Sequence, residues 1–293
     1  MKCFRFIAAE KTSFPISLMC RVLGVSRSGF HAWEKRAPSD RDVRDAWLIQ
    51  QIQQAHERSR ATYGAPRIHA ELRFQGVHVS RKRVERLMRQ AGLSGLVKRR
   101  RGRTTIRVPG IETAPDLVER NFSPDRPNRL WTADITYIRT WQGFIYLASV
   151  LDCYSRRIVG WTIADHLRAE IVVEALEMAL QRRKADPGLV HHSDQGSQYT
   201  ALVFSRRCRK AGIAQSMGSK GDCFDNAVQE SFHSTIKKEL LYRRSWPTKQ
   251  EARTAVFEWI EVFYNRERRH STIGYYSPAE YERISIKREQ QFV

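Results

Sequence analysis

Apolar positions along this chain follow two periods, and the change falls near residue 130. Ahead of it the spacing is helical. Ile16 to Leu23 is apolar-periodic, Gly24 breaks the run, and Ser26 is suited to cap a second helix whose apolar face carries Phe30 and Trp33. That is a helix-turn-helix pattern. Asp40 to Asp45 reads as a charged link. Ala46 to His56 then reads as a helix with Leu48, Ile49 and Ile52 on one side. Tyr63 to Pro66 makes a turn, with Pro66 placed to open a helix over Arg67 to Phe74. Ser80 caps a third helix reaching Ala91, with Val84, Leu87 and Met88 inward and Arg81, Lys82, Arg83, Arg86 and Arg89 outward. Pro109, Pro115, Pro124 and Pro127 interrupt any period and predict an extended linker, with a domain boundary near 120–125.

From residue 130 the pattern is that of strands. Leu130 to Arg139, Phe144 to Asp152 and Arg157 to Ile163 predict an antiparallel meander. A helix follows over Ala169 to Lys184, then a short strand from Leu189 ending at Ser193-Asp194. A helix near Thr200–Ala211, a strand near Ile213–Ser216 and a helix near Phe224–Leu241 complete the order βββαβαβα. This predicts a mixed α/β domain behind an all-helical front. A later helix has Phe257, Ile260 and Phe263 inward, followed by a polar, basic cluster from Tyr264 to His270.

Charge adds a partner to this outline. The 293 residues carry 51 Lys and Arg against 31 Asp and Glu, a net +20. The excess is uneven, since residues 1–120 hold 25 basic and 11 acidic side chains. A basic front half points to a polyanion, because Lys and Arg displace counterions condensed on phosphate. The basic helix of Arg81, Lys82 and Arg86 and the tract Lys98, Arg99, Arg100, Arg101 and Arg103 are the expected DNA contacts. Five cysteines without a CxxC pair exclude a disulfide framework and a Cys-rich zinc site, and suit a reducing cytoplasm. The longest uncharged stretch of the core, Thr140 to Leu151, is too short to span a bilayer, so no membrane role is expected.

Three carboxylates stand out. Asp134 falls mid-strand, where Asp is a poor strand former. Asp194 stands at a strand end, where α/β sheets build sites. Glu230 lies on a helix, with Asn226 four residues before it on the same face. Three converging carboxylates would suit Mg²⁺ or Mn²⁺, and two such ions support phosphoryl transfer. Any one Asp is more often a turn, cap or salt-bridge residue; Asp152 and Asp165, beside turns, fit that description. His191 and His192 read as one buried histidine and one supporting the site.

Residues 128–282 resemble the integrase core of the DDE insertion-sequence transposases, in the form encoded by the second of two overlapping reading frames. The segments that carry the resemblance are Leu130-Trp-Thr-Ala-Asp134-Ile-Thr-Tyr-Ile, Leu151 to Trp161, His192-Ser-Asp194-Gln-Gly-Ser-Gln-Tyr199, Lys220 to Ala227 with Glu230-Ser-Phe, and Tyr264-Asn-Arg with His270-Ser, Gly274-Tyr and Ser277-Pro278. Tyr63-Gly-Ala-Pro-Arg-Ile-His69 resembles the helical-domain signature of the same family. Asp222 and Phe224 depart from it, standing where Asn and Trp are commoner.

The resemblance implies a ribonuclease-H-like core with a mixed five-stranded sheet, and Asp134, Asp194 and Glu230 as a catalytic triad holding a two-metal site. It implies Lys237, seven residues after Glu230, as a DNA contact; Asn226, on the face of Glu230, reads as orienting metal ligands or the terminal nucleotides, and Arg266 and His270, in the basic cluster, as DNA-end contacts. Strand cleavage at element ends followed by strand transfer is the implied activity, with multimers on DNA and a partner encoded by the first reading frame, joined by frameshift fusion. A bacterial cytoplasmic, nucleoid-associated location follows. The expected divisions are a helix-turn-helix-like segment over 1–39, a helical DNA-binding domain over 40–95, a basic linker over 96–124, the catalytic core over 125–284 and a tail over 285–293. Two other readings stay open: a DNA-binding regulator that keeps the core as a scaffold, and a ribonuclease-H-type nuclease acting on hybrids.

Overall fold

The computed structural model describes residues 2–96, 114–118, 121–184, 187–218 and 226–291. The basic tract from Lys98 to Arg103, and Asp222 and Phe224, lie outside the described residues.

Helices α1 (Lys2–Glu10), α2 (Ile16–Val22) and α3 (Arg27–Glu34) share a small core of Ile7, Met19, Cys20 and Phe30. The predicted pair α2–α3 is present, and Ser26 caps α3 by accepting a hydrogen bond from Gly29 N at 3.0 Å. α1 was not expected from the pattern. The segment Asp40 to Asp45, expected as a link, is instead the first turns of α4 (Asp40–Arg58). Ser39 and Asp42 form a reciprocal capping box there, and acidic residues in a first turn favour the helix dipole. α5 (Ala65–Phe74) and α6 (Arg81–Gln90) pack on α4 through Leu48, Ile52, Ile68, Leu72, Val84 and Leu87.

The sheet contains β1 (Leu130–Thr140), β2 (Gly143–Asp152), β3 (Ile158–Ala164), β4 (Val190–Ser193) and β5 (Ala214–Met217), in the order β3-β2-β1-β4-β5. β1 to β3 form the expected antiparallel meander, while β4 pairs parallel to both β1 and β5. Residues 114–118, expected in the linker, already belong to this body. Leu117 N donates to Ser216 Oγ at 2.9 Å, and Val118 is buried.

Alternation along β1 sorts its side chains to two faces. Trp131 and Ala133 face a core shared with α7 (Glu170–Arg182), α8 (Ser197–Thr200) and α9 (Leu202–Lys210). Leu130 and Ile138 face a second core shared with α10 (Ala227–Ile236), α11 (Lys249–Glu258) and the front helices. α10 and α11 each run on into a wider π-helical turn, over Lys237–Leu241 and Trp259–Tyr264. The buried stripe through α11 is Ala252, Ala255, Val256, Trp259, Ile260 and Phe263. Phe257, expected inward, lies off that stripe and is 51% exposed. α12 (Pro278–Gln291) continues through the position where a tail was expected to begin.

Two motifs quoted from opposite ends of the chain meet between the front helices and the core. Arg269 N donates to the Tyr63 hydroxyl at 2.6 Å, and its guanidinium reaches Glu71 at 2.7 Å. Arg268 donates twice to Glu239, at 2.8 and 2.7 Å, with both residues buried. Deleting one partner of such a pair leaves an uncompensated charge and costs about 3–5 kcal/mol. Asn265 grips β3 by accepting from Ile158 N at 2.9 Å and donating to Ile158 O at 3.0 Å. The polar, basic cluster from Tyr264 to His270 is therefore largely interior, with Arg266 exposed.

β3 can carry α7 only because residue 160 is glycine. A Cβ there would lie 2.1 Å from Ala175 O and 2.8 Å from Ala179 Cβ, both on α7. Gly160→Ala is expected to destabilise the chain by about 3 kcal/mol or more, since a buried backbone cannot yield like a side chain. Urea unfolding measures this; an unchanged midpoint would show that α7 is free to shift.

Candidate active site

Asp134 sits in the middle of β1, on the α10 face of the sheet. The parallel register matches Trp131 with His191 and Thr132 with His192. Carried two residues further, it sets Asp194, just past the end of β4, beside Asp134; parallel neighbours lie roughly 5 Å apart. Asp194 opens to solvent yet stands amid dense protein. Loss of hydration and then the negative charge of Asp134 hold its carboxyl above the ordinary value. Gly196 N donates to Asp194 Oδ1 at 3.0 Å, and Ile135 N donates to Asp134 Oδ1 at 2.7 Å. These two predicted residues are brought together.

Glu230 lies in the first turn of α10, exposed. Its helix is fixed to the sheet by its neighbours. Gln229, fully buried, donates to Thr132 O at 3.0 Å and Ser149 O at 2.8 Å. Asn226 donates to Ala133 O at 3.1 Å. His233 Nδ1 lies 3.2 Å from Asp134 Oδ2. Glu230 is four residues after Asn226 and three before His233, so all three share one flank of α10, from which His233 reaches Asp134. Asp134 also acts on Lys237 at the start of the π turn. Burial lowers the Lys237 pKa and the Asp134 charge opposes that shift. Lys237 Nζ stands 5.2 Å over the Tyr137 ring.

Two hard carboxylates that repel each other are a donor set suited to a divalent cation. Among the described residues, no three His, Cys, Asp or Glu side chains stand close enough to hold one together. Residues 219–225, directly ahead of α10, lie outside the description.

Three further residues stand near the carboxylates. His233 and Gln229 become visible only when α10 is docked on β1. Tyr199 lies within a quoted motif, and its hydroxyl is buried without a hydrogen-bond partner. Burial, then Asp134, then Asp194 push that phenol well above its ordinary range.

The expected DNA contacts fare differently. On α6, Arg81 pairs with Glu85 at 2.9 Å, and Arg86 pairs at 2.6 Å with Asp45, which also takes Arg83. Arg86 thus braces α6 against α4 while staying exposed, as expected. Lys82 is exposed and has no ion pair among the described residues. Arg266 is exposed. His270 is buried with its ring 4.8 Å from that of Tyr264, so it is an interior residue rather than an exposed DNA contact. His191 and His192 are both buried; His192 Nδ1 lies 2.9 Å from Ser216 Oγ, whereas neither His191 nitrogen has a partner.

Three family models match this chain: an HTH-like domain over residues 42–101, and two integrase core domain models over 124–223 and 211–278. A 31 kDa protein of insertion element IS600 from Shigella sonnei is 42% identical, covering 89% of this chain and 96% of its own. Transposase InsF for insertion sequence IS3A of Escherichia coli (strain K12) is 37% identical, covering 96% of this chain and 98% of its own. The solved catalytic core domain of BIV integrase is 22% identical, with a TM-score of 0.42 over 56% of this chain and 99% of its own.

Two outcomes follow from this geometry. Burial lowers His191 to about 4, against an ordinary 6.5. The unfolded chain takes up that proton first, so stability falls as pH drops through this window, by roughly 3 kcal/mol. His191→Phe keeps the ring contact with Phe204 and is expected to remove that acid sensitivity; equal pH slopes for the two proteins in urea unfolding would contradict it. His233→Phe removes the partner of Asp134 and is expected to weaken Mn²⁺ binding about tenfold in calorimetry, as loss of an outer partner does. An unchanged Mn²⁺ affinity would mean that His233 does not position Asp134.

Proposed function

The chain belongs to the IS3-type insertion-sequence transposases, and from that membership we propose that it cleaves DNA at element ends and joins the freed 3′-OH to a second phosphodiester, with Asp134, Asp194 and Glu230 as its catalytic carboxylates. The observation that carries this reading is the closeness of Asp134, in the middle of β1, to Asp194, just past the end of the parallel strand β4, where burial and then the charge of Asp134 raise the pKa of Asp194. Such a pair would favour a bound cation, and Glu230 shares a flank of α10 with His233, which reaches Asp134.

Asp134 and Asp194 would hold Mg²⁺ or Mn²⁺, with Glu230 completing the set. When bound, the ion supplies Lewis acidity to both phosphoryl-transfer steps. His233 holds one oxygen of Asp134, which leaves the carboxylate a fixed direction in which to donate. Gln229 and Asn226 keep α10 on β1, and so set the height of Glu230 over the pair. Lys237 stands half-buried beside Asp134, where its charge would meet a DNA phosphate. Lys82, Arg266 and the basic tract of Lys98, Arg99, Arg100, Arg101 and Arg103 extend that contact along the DNA. Two element ends must be joined, so the active form is a multimer on DNA, with the product of the first reading frame as fusion partner.

Labelled element-end DNA, incubated with Mg²⁺ or Mn²⁺ and with the fusion partner present, tests the assignment. Asp134→Asn, Asp194→Asn and Glu230→Gln are each expected to bind the DNA normally and to lose strand joining by at least about a hundredfold, more than an outer partner costs. If the unaltered protein binds but neither cuts nor joins, the chain is a DNA-binding scaffold and the carboxylate assignment falls.

A further inference from the structure

A second polar site lies on the opposite flank of α10. It is a cavity of about 250 Å³ where α10, the β2–β3 turn, α5 and the segment from Tyr264 to Thr272 meet. Its walls carry three guanidinium groups, from Arg67, Arg156 and Arg268. Glu239 pairs with Arg268 at 2.7 Å and with Arg67 at 3.6 Å. Among the described residues no carboxylate pairs with Arg156, so three positive charges face one negative one. Their field falls on His270, also in the wall, which burial first and then all three arginines hold well below its ordinary pKa. The imidazole therefore adds no charge of its own.

Arg156 is unusual in two further ways. Its φ is +64°, the left-handed region that glycine or asparagine occupies far more cheaply. The turn does not need an arginine there. Asp152 holds it by accepting from Tyr154 N and Asn128 N at 2.9 Å, and its carbonyl accepts from Arg156 N at 2.8 Å. The Nε of Arg156 is also buried without a hydrogen-bond partner. A strained backbone, an unsatisfied donor and surplus positive charge all disfavour this side chain in the isolated protein. A bound anion offsets all three, and guanidinium forks match the oxygens of a phosphate. The hydroxyls of Ser231, Ser271 and Thr272 line the same cavity.

We propose that this cavity binds a phosphate of the DNA backbone, with Arg156 as its main ligand and Arg67 and Arg268 beside it. The choice of DNA as the source of the phosphate rests on the transposase reading. α10 is roughly 10 Å across with its side chains, so a strand laid over its first turns reaches Glu230 on one flank and the arginines on the other within a few nucleotides. Arg67 comes from the front helices and Arg156 from the core, so one phosphate would bridge the two.

The test is fluorescence anisotropy of a labelled duplex with the full chain across a KCl series, alongside thermal melting. Arg156→Gly relieves the left-handed backbone and is expected to melt no lower than the unaltered protein. It should nevertheless bind DNA about tenfold more weakly, with a log–log salt slope shallower by about one. Arg156→Lys should recover part of the affinity. If Arg156→Gly and Arg156→Ala both bind with unchanged affinity and slope, the cavity holds no backbone phosphate and the proposal is overturned, while the transposase reading stands. If the unaltered protein binds no duplex at all, that reading fails and the DNA phosphate goes with it.

Discussion

The parallel pairing of β4 with β1 is the constraint on which the site depends. β1 is the central strand, with β2 on one edge and β4 on the other. β2 pairs with it from Trp131 to Thr140 and β4 with its first three residues, so its register is fixed and Asp134 has no freedom to slip to the other face. β4 is only four residues long, and its few ladder bonds are enough to bring Asp194 alongside. A one-residue slip of β4 would turn its side chains to the opposite face and part the two carboxylates. The large hydrophobic faces behind β1 and β2 are what make such a slip costly.

α10 turns that sheet into a site. Its buried stripe, with Phe232 and Ile236, binds it to the core. Gln229 adds direction, since a buried amide donating to both β1 and β2 tolerates little rotation of the helix. One flank of α10 then carries Asn226, Glu230 and His233, the last of which reaches Asp134, and the other carries Ala227 and Ser231 toward the arginine cavity. Two polar sites of opposite charge can share one helix because the apolar stripe between them excludes water.

The front helices are joined to the core rather than tethered to it. One continuous set of buried side chains runs from Leu48 and Ile68 to Phe232 and Trp259. Over it lie the ion pairs of Arg268 with Glu239 and of Arg269 with Glu71. The small core of α1 to α3 is separate from that set. Any DNA held by the front helices would thus act on a body that includes α10.

Much of this was legible in the chain itself. Two periods of apolar residues located most of the helices and all five strands, though not α1, the first turns of α4 or α12, because burial of one face imposes its spacing directly on the sequence. Asp134 stood out because a carboxylate in a strand needs a reason. Basic residues were harder to read. Arg86 and His270 read alike as DNA contacts, yet Asp45 pairs with the first, which stays exposed, while the core covers the second. A charge pattern shows that cations exist, and only folding shows which of them find carboxylates. Asp45 was taken for part of a link for the same reason, since its partners are about forty residues away. His233, Gln229 and the arginines around Arg156 have no local signature at all. Their meaning comes from contacts between residues distant in the chain, and those were decided by how α10 and α5 pack on the sheet.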